Sequence, residues 1–194
     1  MNTARTLTPA ELGNYGDHLL RLNASDRRMR FGYAIDDAAI IRYVAGISPW
    51  DSRIIARFNN QLAIIAAVQI SVVKGRLAEF ALTVDETERA RGLATMLMNR
   101  ALLWARNRNI PRVCMDCLAE NLAMRRIARR AGMAVASLHG ESEGYRDLPR
   151  ATAWSIASEV GAEQLGLLDY LVKAARCVSA PMPLATSASL YPQP

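Results

Sequence analysis

The stretch from Leu62 to Val73 is nearly all apolar. It is too short for a membrane span, which takes about 20 apolar residues. A half-buried strand alternates apolar and polar residues, so a run without alternation reads as a strand buried on both faces. Such a strand needs a neighbour on each edge and a layer on each side. Ser52 to Phe58 and Arg76 to Val84 supply the neighbours across short turns, Asn59 to Gln61 and Lys74–Gly75. Short turns imply an antiparallel meander.

Helical patterns surround this meander. Pro9 to Leu22 reads as a helix with Thr8 as N-cap and Pro9 at its first position. Asn23 to Phe31 reads as a polar link, and Asp36 to Ala45 as a second helix. After the meander the pattern alternates: helix Gly92–Arg108, strand Arg112–Cys117, helix Asn121–Ala131 and strand Met133–His139. A last strand runs through Glu143 to Leu148. Ala151 to Val178 is helical, with Leu165, Leu168, Leu171, Val172 and Ala175 on one apolar face. The Pro/Ser/Ala-rich residues 179–194 read as a mobile tail. The chain is therefore expected to be one domain over 1–178, with a helical extension from about 151 and no internal repeats.

Composition narrows the class. The 194 residues are 51% hydrophobic, which is globular, and carry a formal net charge of +6. Only Lys74 and Lys173 are lysines, so the basic side chains are almost all arginines. Guanidinium forks match phosphate geometry, though an arginine-rich genome gives the same count. Scattered arginines and 6% aromatics disfavour nucleic acid. The N-terminus lacks an apolar signal core, so a cytoplasmic protein, neither in nor on a membrane, is expected. Cys114 and Cys117 form a CxxC, but residues three apart on a strand point to opposite faces. With His18 and His139 the only histidines, buried free cysteines are expected and no metal site.

The segment Glu88–Leu97, ERARGLATML, joins a strand to a helix. A helix N-terminus carries unpaired N–H groups and the positive end of the dipole, which suits phosphate. Gly92 there lets a ligand approach the backbone, and Arg89 and Arg91 add charge. The spacing is neither a Walker A loop nor GxGxxG. An ordinary surface loop with solvated charges is the alternative.

RARGLA, Arg89 to Ala94, resembles the Q/R-x-x-G-x-G/A signature of the GNAT superfamily of N-acetyltransferases, with Arg89, Gly92 and Ala94 at the signature positions. Cys117 to Met133 resembles the later motif, in which an Asn opens a helix ending in Gly-Phe; Asn121 and Gly132 match, and Met133 replaces Phe. The N-x-x-M and AGM patterns, with RMRF at Arg28 to Phe31, are similar to a branch containing protein-lysine acetyltransferase domains. The resemblance implies an α/β (α+β) fold with a strongly twisted mixed sheet and flanking helices, and acetyl-CoA as co-substrate. It implies that the loop Asp85–Gly92, with Arg89, Ala90, Arg91, Gly92, Leu93 and Ala94, wraps the CoA pyrophosphate. It further implies that the edge at Leu82, Thr83 and Val84 bonds the pantetheine arm, that Asn121 contacts that arm or the departing sulfur region, and that Met124 binds the cofactor.

Transfer to an amine needs a base for the amine and a proton for the leaving thiolate. Glu79, in an otherwise apolar strand, is the candidate base, helped by a partly buried setting that would raise its pKa. A strand-end Glu paired with an Arg is the alternative, and Glu120 and Glu143 are lesser candidates. The resemblance puts an acidic Tyr seven residues after Asn121, where this chain has Ala128. Tyr145 and Cys117 are substitutes. The expected function is acetyl transfer to a primary amine: a protein lysine, an N-terminal amine or a small amine. A homodimer is an open option. The alternative is a non-catalytic acyl-CoA-binding or sensor domain.

Overall fold

The computed structural model describes residues 3–73 and 76–179. Among the described residues seven strands and six α-helices follow one another: β1 Arg5–Thr6, α1 Leu12–Arg21, α2 Ala24–Phe31, α3 Asp37–Ala45, β2 Ser52–Phe58, β3 Ile64–Val73, β4 Leu77–Val84, α4 Leu93–Asn107, β5 Arg112–Leu118, α5 Leu122–Arg130, β6 Ala134–Leu138, β7 Glu141–Asp147 and α6 Ala153–Ser179. The strands form one sheet in the order β1-β2-β3-β4-β5-β7-β6. Every pairing is antiparallel except β4 with β5, which α4 joins as a crossover. This is the mixed α/β sheet expected.

The apolar run is the centre of that sheet. β3 pairs with β2 on one side and β4 on the other. Its Ala66, Val68 and Ile70 pack with Phe80, Leu97, Met98 and Met115 under α4 and α5. Ile64 and Ala67 pack on the other face with Tyr15, Leu19 and Ile40 from α1 and α3.

Two elements correct the sequence reading. Asn23 to Phe31 is no link: Ala24–Phe31 forms α2, capped by the Asn23 side chain accepting from the Asp26 N–H at 2.8 Å. Two of its inward groups are guanidiniums, beside Phe31, so no full apolar stripe announces the helix. Arg27 donates to the Leu20 and Leu22 carbonyls, and Arg30 to Tyr43 and Gln69. The two-residue strand β1, too short to leave a pattern, was also missed.

α6 closes the β1 edge. Thr6 N–H donates to Glu163 at 2.7 Å, and Lys173 Nζ donates to the Phe58 carbonyl at 2.8 Å. Gly166 sits against Ala4, where a Cβ would overlap the carbonyl, so only glycine lets the helix lie this close. The expected mobile tail falls almost wholly on 180–194, outside the described residues; Ser179 ends α6. Among the described residues no helix is long and apolar enough to cross a membrane.

Candidate active site

The parallel pairing of β4 with β5 is short. It runs Leu77–Arg112, Ala78–Val113 and Glu79–Cys114, and stops. Beyond Glu79 the strands part, so among the described residues the edge of β4 from Phe80 to Val84 faces no strand on that side. A cavity of about 740 Å³ opens there, within the usual range for a small-molecule site. β4, the loop before α4, the first turn of α4, the end of β5 and the start of α5 line it. So does α2, through Asp26, Met29 and Arg30.

The loop at one end is shaped for an anion. Ala90 and Gly92 both adopt left-handed backbone, with φ of 60° and 78°. Such residues curl a chain so that successive N–H groups converge. Ala90 bears a side chain in that region, which costs about 1 kcal/mol or more. The first intrahelical bond of α4 is Met96 N–H to Gly92 O, so Leu93, Ala94 and Thr95 turn earlier N–H groups outward. Arg89 pairs with Asp26 at 2.5 Å, and Arg91 with Glu88 at 2.7 Å. The Arg89 pair ties the loop to α2.

A buried polar relay fixes the end of β4. His18 is fully buried. Its Nδ1 faces the Ile64 carbonyl at 3.0 Å and Asp85 Oδ1 at 3.1 Å. Two acceptors there hold a proton on Nδ1, and Nε2 lies 2.8 Å from the Thr83 hydroxyl. Arg21 donates to the same Ile64 carbonyl. At the other end of the cavity Asn121 caps α5, its side chain accepting from Met124 N–H at 3.0 Å.

The open face of the sheet around the parting of the strands is acidic. Register places Glu79 beside Cys114, Cys114 beside Tyr145, and Asp116 beside Glu143. Burial, then the charges of Glu79, Glu143 and Glu141, push the Asp116 carboxyl up. Burial and then Asp116, Glu79 and Glu143 push the Cys114 thiol up to about 12, so it stays protonated. Tyr145 donates to Glu143 at 2.9 Å, and that bond raises its pKa.

The cavity brings together Leu82, Thr83, Val84, Arg89, Ala90, Gly92, Leu93, Ala94, Asn121 and Met124; Arg91 is not among the lining residues. Glu79 stands beside the parting rather than in the wall, and its side chain is exposed. The expected apolar burial of Glu79 is therefore not found: strand alternation hid that its face is left open. Ala128 is fully buried in the core, while Ile127 lines the cavity, so counting from Asn121 does not reach a position that opens to it. Glu120 pairs with Arg28, and Cys117 lies on the sheet face opposite Cys114. Sequence reasoning missed Asp26, Met29, Arg30 and Arg130 in the lining; the Asn23 cap was the available signal for the first three. Among the described residues no group of three or more His, Cys, Asp or Glu is placed to hold a metal ion.

Solved structures share this fold. The GNAT domain of S. lividans PAT superposes with a TM-score of 0.63 at 21% identity, covering 75% of this chain and 89% of that one. Spermidine N-acetyltransferase from Vibrio cholerae, in complex with CoA and spermine, gives 0.58 at 18% identity, covering 75% and 94%. RimL, a ribosomal L7/L12 alpha-N-protein acetyltransferase in complex with CoA, gives 0.60 at 16% identity, covering 76% and 96%. No curated protein matches the sequence significantly. Residues 8–133 match the acetyltransferase (GNAT) family. That span is well over half of the chain and contains the parted strands, the anion loop and the Asn121 cap, and the chain belongs to that family of acetyl-CoA-dependent acetyltransferases.

Proposed function

We infer that the chain transfers acetyl from acetyl-CoA to a primary amine: a protein lysine, an N-terminal amine or a small amine. The observation that carries this is the exposed carboxylate group of Glu79, Asp116 and Glu143 beside the parting of β4 and β5. A cationic amine is drawn to such a face and needs a carboxylate to give its proton to. Similar structures are named for amine acceptors, spermidine in one case and a ribosomal protein in another.

Acetyl-CoA supplies an acetyl group activated as a thioester. The N–H groups of Leu93, Ala94 and Thr95 and the curled backbone at Ala90 and Gly92 fit its diphosphate, with Arg89 and Arg91 able to turn from their carboxylates toward it. The free edge at Leu82, Thr83 and Val84 offers strand-like hydrogen bonds to an amide-bearing arm, with Asn121 and Met124 on the far wall. Glu79 receives the amine proton. Asp116 and Glu143 hold the positive charge of the incoming acceptor, and Tyr145 is a group on that face with a proton to give.

The test is turnover on a lysine peptide, an N-terminal peptide and a polyamine. Glu79→Gln lowers turnover about 10²-fold and leaves acetyl-CoA binding intact. Gly92→Glu lowers acetyl-CoA affinity at least tenfold, about 1.4 kcal/mol, by calorimetry on folded protein. A second reading, an acyl-CoA sensor, is favoured by one observation: the motif's acid position is a buried alanine. Tight acetyl-CoA binding with no turnover on any of the three amines decides for the sensor.

A further inference from the structure

A surface helix normally turns its apolar stripe inward and its polar side to water. α6 does the reverse. Its inward side is mostly polar: Ser155, Glu159, Glu163, Asp169 and Lys173 bind Asn107, Arg108, Arg100, Arg57 and the Phe58 carbonyl, and Tyr170 against Phe58 is its large apolar contact. Its outward side is apolar over almost its whole length. Trp154 is 82% exposed, Leu168 59% and Val178 86%. Arg176, near the end, is the one exposed charged residue of the described helix.

The outward side has a period. Ala157, Val160, Gln164, Leu167 and Leu171 are spaced alternately by three and four residues, and Val178 follows one heptad later; all are exposed. That is the a/d seam of a coiled coil, which buries itself only against a second helix carrying a matching seam. Gln164 holds a central a position, where one polar residue sets register at some cost in stability.

We propose that this seam is the interface with a second copy of the chain, α6 against α6 across a two-fold axis. Three observations favour a second copy. A second copy brings a seam of the same period and length, about 40 Å for 27 residues. The exposed apolar residues of α6, Trp154, Leu167, Leu168, Leu171 and Val178 among them, run from one end of the helix to the other, a continuous strip rather than the scattered single apolar residues of an ordinary surface. At a two-fold axis each group near the axis meets its own kind, so a charged seam would repel itself. This seam has no charge, and Gln164 can both donate to and accept from its mate.

The test is sedimentation of the full 194-residue chain from 1 to 100 µM. The expected result is a dimer with a dissociation constant of a few micromolar or tighter. Leu167→Glu with Leu171→Glu, both exposed in the protomer, weakens it at least 100-fold while the circular dichroism spectrum is unchanged. Leu138→Glu, an equally apolar exposed site on the far edge of the sheet, leaves the dimer intact. A chain still monomeric at 100 µM overturns the proposal, whatever else covers α6. So does a dimer that the paired seam substitutions leave intact, or one that Leu138→Glu breaks as readily.

Discussion

The two layers packed on the sheet are built differently. Under α4 and α5 the core cluster is apolar, from Ala66 and Phe80 to Met115 and Met133, with polar groups only toward β6 and β7. Under α1 and α3 the apolar residues surround polar groups. Tyr15, Tyr43 and Arg30 converge on the Gln69 side chain, and His18 joins Thr83 to Asp85. An apolar core tolerates small shifts in its side chains. A hydrogen-bonded one holds directions, because each buried donor is costly to leave unmade. Gln69 pairs with Ala81, and Ala67 with Thr83, so the polar layer grips the part of β4 that faces the cavity. The layer that fixes the site is the one that sacrifices apolar area.

The sharpest way to break the contrast is at Gln69. Gln69→Leu removes the acceptor shared by Tyr15, Tyr43 and Arg30 and leaves the half-buried guanidinium only tyrosine hydroxyls, which costs about 1–3 kcal/mol in chemical denaturation. Adding Arg30→Met recovers part of that, because the charge left without its acceptor is gone while the Tyr15 and Tyr43 hydroxyls still lack theirs. Additive losses in the double variant would show that these groups do not act as a unit.

In the apolar layer the matching insult is overpacking. Ala128 is fully buried against α4 and the sheet, so Ala128→Tyr costs roughly 1–3 kcal/mol, with no second substitution expected to undo it by charge alone. An unchanged melting temperature would mean that this layer has room for a ring and is not close-packed there.

The smallest effect lies at the rim of the polar layer. Glu11 accepts from Arg5, which stacks 3.9 Å over Tyr170, and this pairing holds the Glu11 carboxyl down at about 2. A depressed carboxyl stabilises the fold above its ordinary pKa, and the gain disappears as pH falls through the depressed one. Wild-type chain should therefore exceed Glu11→Gln by about 1 kcal/mol after solvent screening at pH 6, and the two should converge between pH 4.5 and 2. A gap independent of pH would assign Glu11 to its Thr8 capping contacts alone.

The same contrast explains what could be read from the sequence. The meander, the crossover helix and the Asn121 cap rest on periodicity and capping chemistry, which are local. α2 does not, because Arg27 and Arg30 fill inward positions where an apolar residue would have marked the face. The left-handed turn at Gly92 was legible, but the left-handed Ala90 was not, since alanine gives no sign of it. Glu79 was found as an oddity among apolar neighbours, yet its exposure depends on where β5 stops pairing, a property of two strands together. The seam on α6 was half visible: the apolar residues stood out, but nothing local says which side the polar anchors occupy.

Those anchors also set a clock. Thr6 lies 157 residues ahead of Glu163, the side chain that receives its N–H. A ribosome adding about 5–20 residues per second needs roughly 10–30 s to make that stretch. Through that interval the first strand has been synthesised while the helix that lies along it has not. The meander and its crossover can assemble as they emerge, but the outer rim of the sheet waits for the last helix. A newly made chain thus carries an open strand edge until α6 arrives, and a truncation before Glu163 makes that exposure permanent.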